Sequence, residues 1–109
     1  MHELTRETFD DFIGLDTPSL VNFWSEGCMP CRMFAPVLAE LSAEMGDEIA
    51  FGKLRIDDST IEIAQRYAIA HVPTTILFRD ARPVGQVLGA KGKSELQATL
   101  RETFSAMVN

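Results

Sequence analysis

The chain has two cysteines, Cys28 and Cys31, and they sit where an apolar run gives way to a helical pattern. Leu20-Val21-Asn22-Phe23-Trp24 leads in and has the composition of a strand. It lacks clean alternation, so it reads as buried on both faces, like a central parallel strand. The segment that leads out is periodic, with Phe34, Val37, Leu38, Leu41 and Met45 on one stripe. A helix is therefore expected from about Cys28 or Met29 to Met45, with Gly46 as its stop. Pro36 falls inside it, removes the bond to the Arg32 carbonyl and is expected to kink the helix. A Cys-x-x-Cys at a strand-to-helix junction, in a chain with no other cysteine, reads first as a redox pair.

Bulk properties narrow the alternatives. A length of 109 residues fits one domain spanning 1–109 and suffices for a core without disulfide staples. Two cysteines are too few for a disulfide scaffold. The formal net charge of −6 and scattered basic residues argue against a nucleic-acid partner. No apolar segment reaches the ~18 residues of a membrane span, and the first residues lack a signal-peptide pattern. The expectation is a cytoplasmic monomer with no membrane partner.

The remaining pattern reads β-α-β-α-β-α-β-β-α. Residues 2–4 suit a short edge strand. Thr5 is a candidate N-cap, with Glu7 in the first turn of a helix carrying Phe9, Phe12 and Ile13, ended by Gly14. Ile49–Ile56 reads as a strand, and Asp57-Asp58-Ser59 as a turn. Ile61, Ala64 and Ala68 suggest a short helix ending near Ala68. Thr75–Phe78 and Val84–Leu88 form an antiparallel hairpin because the link is short. Gly89 and Gly92 break it. Ser94 is a candidate cap for a last helix with Leu96, Leu100, Phe104 and Met107 on one face. The fold class is α/β: one mixed sheet flanked by helices on both faces.

Three stretches then resemble the thioredoxin family: Val21 to Pro36, Lys53-Leu54-Arg55-Ile56-Asp57, and Val72-Pro73-Thr74-Thr75-Ile76-Leu77-Phe78. The likeness runs from about Phe9 to Phe104. It implies the thioredoxin fold, a cis Pro73 facing the cysteine pair, and reduction of protein disulfides with recharging by a thioredoxin-reductase-type donor. No cofactor beyond the Cys28–Cys31 disulfide is implied. Three positions depart from the family pattern. Asn22 stands where the family has a buried Asp, Gly27 where it has Trp before the first cysteine, and Met29 where it has Gly.

Thiol–disulfide exchange needs a thiolate to attack and a second thiol to release the mixed disulfide. Cys28, at a helix N-terminus, is the candidate nucleophile, because unpaired N–H groups there favour negative charge. Cys31, on the same helix face, is the candidate resolving thiol. Pro30 suits the first helical turn. Structural zinc is the alternative for the cysteines, but His2 and His71 lack ligand spacing, and zinc takes four ligands; a copper carrier is a further one.

An amide at position 22 cannot hold a proton as a carboxylate can. Lys53 therefore either shares the proton handling with water or snorkels to solvent. Trp24 is either a core aromatic or a packing partner of the disulfide. His71 either tunes Cys28 or is a plain loop residue. Met29 can shift the thiol–disulfide balance or serve as an adaptable apolar contact. Val72, Pro73 and Gly89 line the expected substrate groove, where an extended peptide adds as a strand. The competing function is a protein-binding, chaperone-like module in which redox activity is secondary.

Overall fold

The computed structural model describes residues 1–108, with side chains through Ser105. The expected element order is observed. It comprises β1 (His2–Glu3), α1 (Phe9–Ile13), β2 (Ser19–Trp24), α2 (Met29–Met45), β3 (Ala50–Arg55), α3 (Ile61–Arg66), β4 (Thr74–Arg79), β5 (Arg82–Leu88) and α4 (Lys93–Val108).

One five-stranded sheet runs in the order β1-β3-β2-β4-β5. β2 pairs in parallel with β3, which requires the long α2 crossover, and antiparallel with β4. It is central, and its residues from Ser19 to Phe23 are all buried. That explains its missing alternation, since both of its faces are covered. Leu20, Phe51, Leu77 and Val87 pack on one face against Phe34, Leu38, Leu41 and Met45 of α2 and Leu96, Leu100 and Phe104 of α4. Val21, Phe23, Leu54, Ile76 and Phe78 pack on the other face against α1 and α3. A Cβ on Gly52 would come within 2.9 Å of Leu4 and Phe12 side-chain atoms, so glycine is what lets β1 and α1 close over β3.

Several local expectations are corrected. Helix α1 starts at Phe9, so Thr5 is not its cap. Thr5 instead closes the preceding turn: Thr8 N donates to Thr5 Oγ1 at 3.3 Å, and Thr5 N donates back to Thr8 Oγ1 at 2.9 Å. Glu7 lies in that turn, outside the helix. Helix α3 ends at Arg66, before Ala68, which takes φ 54°. Its inward residues are Ile63 and Ala64, while Ile61 is exposed, because Tyr67 and Ile69 beyond the helix join the same core as Ile63. Ser94 is the second residue of α4 rather than its cap, and Leu96 N donates to Gly92 O at 3.0 Å. The Met107 side chain lies outside the described residues. Helix α2 spans Met29–Met45 with Pro36 inside it, the extent that the sequence pattern implied. The hairpin turn is tighter than the sequence suggests. Only Asp80 and Ala81 link the strands, both with positive φ, as a two-residue hairpin loop demands.

Candidate active site

Register places the site. The last residue pair of β2 with β4 is Phe23 with Thr74, and Thr74 in turn faces Leu88 of β5. The C-terminal ends of β2 and β5 and the N-terminal end of β4 therefore share one edge of the sheet. The loop to Cys28, the Val72-Pro73 segment and Gly89 all leave from that edge. The Val72–Pro73 bond is cis, as the family resemblance implied, and Gly89 N donates to Pro73 O at 2.8 Å.

Gly27 turns the chain into α2 with φ 76°, a conformation that side-chain-bearing residues rarely adopt. Cys28 is the N-cap of α2, and its Sγ accepts a hydrogen bond from Cys31 N at 3.2 Å. Orphan N–H groups at a helix start thus face the sulfur. Pro30 occupies the first turn, where its missing N–H costs nothing. Cys28 and Cys31 are disulfide-bonded, with Cα atoms 5.3 Å apart. They are unequal in access: Cys28 is half-buried, whereas Cys31 is 7% exposed. Met29, next to Cys28 in the chain, is 60% exposed, and Leu88, at the end of β5 opposite Thr74, is 58% exposed.

Behind the disulfide lies a cleft of about 660 Å³, lined by Cys31, Asn22, Trp24, Lys53, Glu3 and Arg32 among others. Alternate strand residues share a face, so Leu20, Asn22 and Trp24 all look toward α2. Asn22 is buried, and its Nδ2 donates to Thr75 Oγ1 at 3.2 Å, the partner its burial requires. Trp24 belongs to neither core cluster. It is half-buried, its indole N–H has no protein partner among the described residues, and its ring lies 5.8 Å from Lys53 Nζ. The sequence left Lys53 without a carboxylate partner; the structure supplies one, Glu3 Oε1 at 3.6 Å.

On the far side of Trp24 a second cleft of about 450 Å³ holds Glu26, Arg55 and Asp57. Hydrogen bonds from Ser59, and then the Arg55 guanidinium, hold the Asp57 carboxyl below its ordinary range. Carboxylates of Asp57 and Glu26 in turn raise the pKa of Arg55.

His71 is an exposed loop residue whose carbonyl accepts from Thr74 Oγ1 at 2.6 Å. His2 sits against the Phe12 ring at 5.3 Å, in β1. No group of three His, Cys, Asp or Glu side chains gathers to hold a metal ion among the described residues. The sequence reading missed Glu3, Arg32 and Thr75 at this site. Only the pairing of β1 with β3 and of β2 with β4 brings Glu3 and Thr75 there, and no spacing along the chain reports either.

Comparison with known proteins agrees with this geometry. The family model described as Thioredoxin matches residues 1–102. The thioredoxin of Mycolicibacterium smegmatis is 42% identical over 106 residues, covering 95% of this chain and 92% of that protein. A bifunctional thioredoxin reductase/thioredoxin of Mycobacterium leprae is 38% identical over 94 residues, covering 86% of this chain and 20% of that protein. The crystal structure of Malassezia sympodialis thioredoxin superposes with a TM-score of 0.85 at 30% identity, over 94% of this chain and 90% of that one. The fold, the cysteine pair at a helix start and these relatives together make the chain a thiol–disulfide oxidoreductase with protein-disulfide reductase activity, and it belongs to the thioredoxin family.

Proposed function

We propose that this chain, acting as a single domain over residues 1–109, reduces protein disulfides with Cys28 as the entering nucleophile and Cys31 as the resolving thiol. The carrying observation is the unequal exposure of the two sulfurs. Cys28 caps α2, half-exposed, with an N–H directed at its sulfur, while Cys31 is buried one helical turn on. In the reduced form the Cys28 thiolate, favoured at the helix start, attacks a substrate sulfur. The other substrate sulfur leaves with the electron pair and takes up a proton. Cys31, once deprotonated, then attacks Cys28, and the second substrate sulfur leaves in the same way. The enzyme ends as the Cys28–Cys31 disulfide and the substrate as two thiols.

The substrate docks at the sheet edge that carries Met29, Val72, Pro73 and Gly89. Pro73 has no N–H, and its carbonyl is already engaged by Gly89. An extended peptide adding beside this loop therefore pairs with Val72 backbone groups. Exposed Met29 gives it an adaptable apolar contact. Regeneration calls for a thioredoxin-reductase-type donor, in keeping with the Mycobacterium leprae relative that joins both names in one chain. The protein acts as a monomer in the cytoplasm, where such a donor keeps the pair reduced.

Dithiothreitol-driven reduction of a model protein disulfide tests the assignment. Cys28→Ser abolishes turnover. Cys31→Ser still reacts once but accumulates a mixed disulfide through Cys28. Accumulation on Cys31 in the Cys28→Ser protein, at the rate seen for Cys28, would reverse the two roles.

A further inference from the structure

The cleft behind Cys31 carries charge from three elements: Glu3 of β1, Lys53 of β3 and Arg32 of α2, with Met1 beside them. Glu3 is the one carboxylate among its lining residues. Register makes Glu3 the direct partner of Lys53, and Lys53 the direct partner of Asn22. The three side chains therefore form a row across the sheet, on the face that α2 covers. Asn22 is neutral and committed to Thr75. The Lys53 ammonium is held instead by Glu3 at 3.6 Å and by the Trp24 ring at 5.8 Å. In the adjacent cleft, Glu26, Arg55 and Asp57 pair among themselves.

A thiolate formed at buried Cys31 loses hydration, which disfavours it; nearby positive charge offsets that loss and negative charge adds to it. We propose that Glu3 is a positioning residue for the resolving step, anchoring the Lys53 ammonium on the wall of the Cys31 cleft and moderating the positive charge that a Cys31 thiolate meets. This rests on Cys31 being the resolving thiol. The Cys31 thiol gives its proton to solvent, and the thiolate attacks Cys28 in the mixed disulfide. The bond between Cys28 and the substrate sulfur breaks, and that sulfur leaves with the electron pair and is protonated. The substrate disulfide is the oxidant, so no further reactant is needed.

Titrating Cys31 as the single thiol of Cys28→Ser protein, by thiolate absorbance at low ionic strength, tests the proposal. Lys53→Met raises the midpoint by about 0.5–1 unit, a value discounted for the solvent exposure of the pair. Glu3→Gln lowers it by about 0.5 unit, because the amide still accepts from Lys53 but carries no charge. In the Lys53→Met background the Glu3→Gln shift falls below half its size. At ~1 M salt all three shifts shrink.

With both cysteines present, Glu3→Gln speeds release of substrate from the mixed disulfide about 2-fold at neutral pH, because half a unit raises the thiolate fraction about 3-fold and the weaker nucleophilicity of the less basic thiolate takes back part of that gain. An unchanged midpoint on Glu3→Gln, or an equal shift without Lys53, overturns the role of Glu3. Release at the parental rate from Cys31→Ser protein instead overturns the resolving role of Cys31, and the two failures are read from different proteins.

Discussion

Asn22 occupies the middle of a polar row that crosses the sheet under α2, from Glu3 through Lys53 to Thr75. It is 5% exposed, and its amide nitrogen donates one hydrogen bond, to Thr75. A carboxyl placed there by Asn22→Asp is desolvated, which raises its folded-state pKa above the unfolded value of ~3.9. The folded protein then binds the proton more tightly than the unfolded chain. The penalty begins near pH 4, grows with pH through the raised value and is complete above it. The expected cost at neutral pH is about 1–3 kcal/mol, a cost of the size met when a buried polar group loses its partner, measured by urea unfolding from pH 4 to 8. The same variant gains a titrating limb in the pH–rate profile for resolving the mixed disulfide; superimposable profiles would mean that position 22 has no acid–base part. The two cysteines and the oddity of a polar residue in a buried run were legible, because each is a property of one position and its neighbours. The ion pair of Lys53 and the half-buried place of Trp24 were not. Both depend on β1 lying beside β3, and a two-residue strand leaves almost no periodic signal.

At the scale of elements, the caps decide where helices begin, and they proved harder to place than the helices themselves. Asp57 and Thr60 organise the entry to α3. Asp57 Oδ1 accepts from Ser59 N at 2.9 Å and from Ser59 Oγ at 2.7 Å, while Thr60 Oγ1 donates to Arg55 O at 2.6 Å. The two bonds from Ser59 hold the Asp57 carboxyl below its ordinary range, with Arg55 as the lesser cause. A depressed folded-state pKa means stability that is fully present above about pH 4, the unfolded value, and lost as pH falls through the folded one. Thermal melts of the parent between pH 5 and pH 2.5 should therefore show an acid-side decline that is shallower in Asp57→Asn. Equal slopes would assign the acid sensitivity to other carboxylates. The Asp-Asp-Ser cluster announced this turn in sequence. The exposed face of Ile61 escaped notice because spacing of three and four residues also fits a stripe through Ile61, Ala64 and Ala68. What selects the other stripe is the core formed by Ile63 with Phe9, Phe23 and Phe78, drawn from distant segments.

Across the whole molecule the sheet separates two cores, and only one of them touches the chemistry. Phe9 is fully buried in the core shared by α1 and α3, against Phe23, Tyr67 and Phe78. Leu38 is 1% exposed in the core beneath α2 and α4, and it also lines the cleft behind Cys31. Truncating either leaves a cavity, so Phe9→Ala and Leu38→Ala should each cost about 2–5 kcal/mol. If the two faces of the sheet belong to one cooperative unit, each variant shifts a single unfolding transition, seen at the same denaturant concentration by Trp24 fluorescence and by far-ultraviolet circular dichroism. Two separated transitions in either variant would mean that the layers unfold independently. Activity should divide them where stability does not. Below the onset of unfolding, Phe9→Ala keeps the parental rate of disulfide reduction, since its cavity opens on the face away from α2. Leu38→Ala slows mixed-disulfide resolution, because the lost side chain is part of the wall of the cleft that Cys31 and Lys53 also line. Equal rates in the two variants would show that the shape of this cleft does not govern the second exchange.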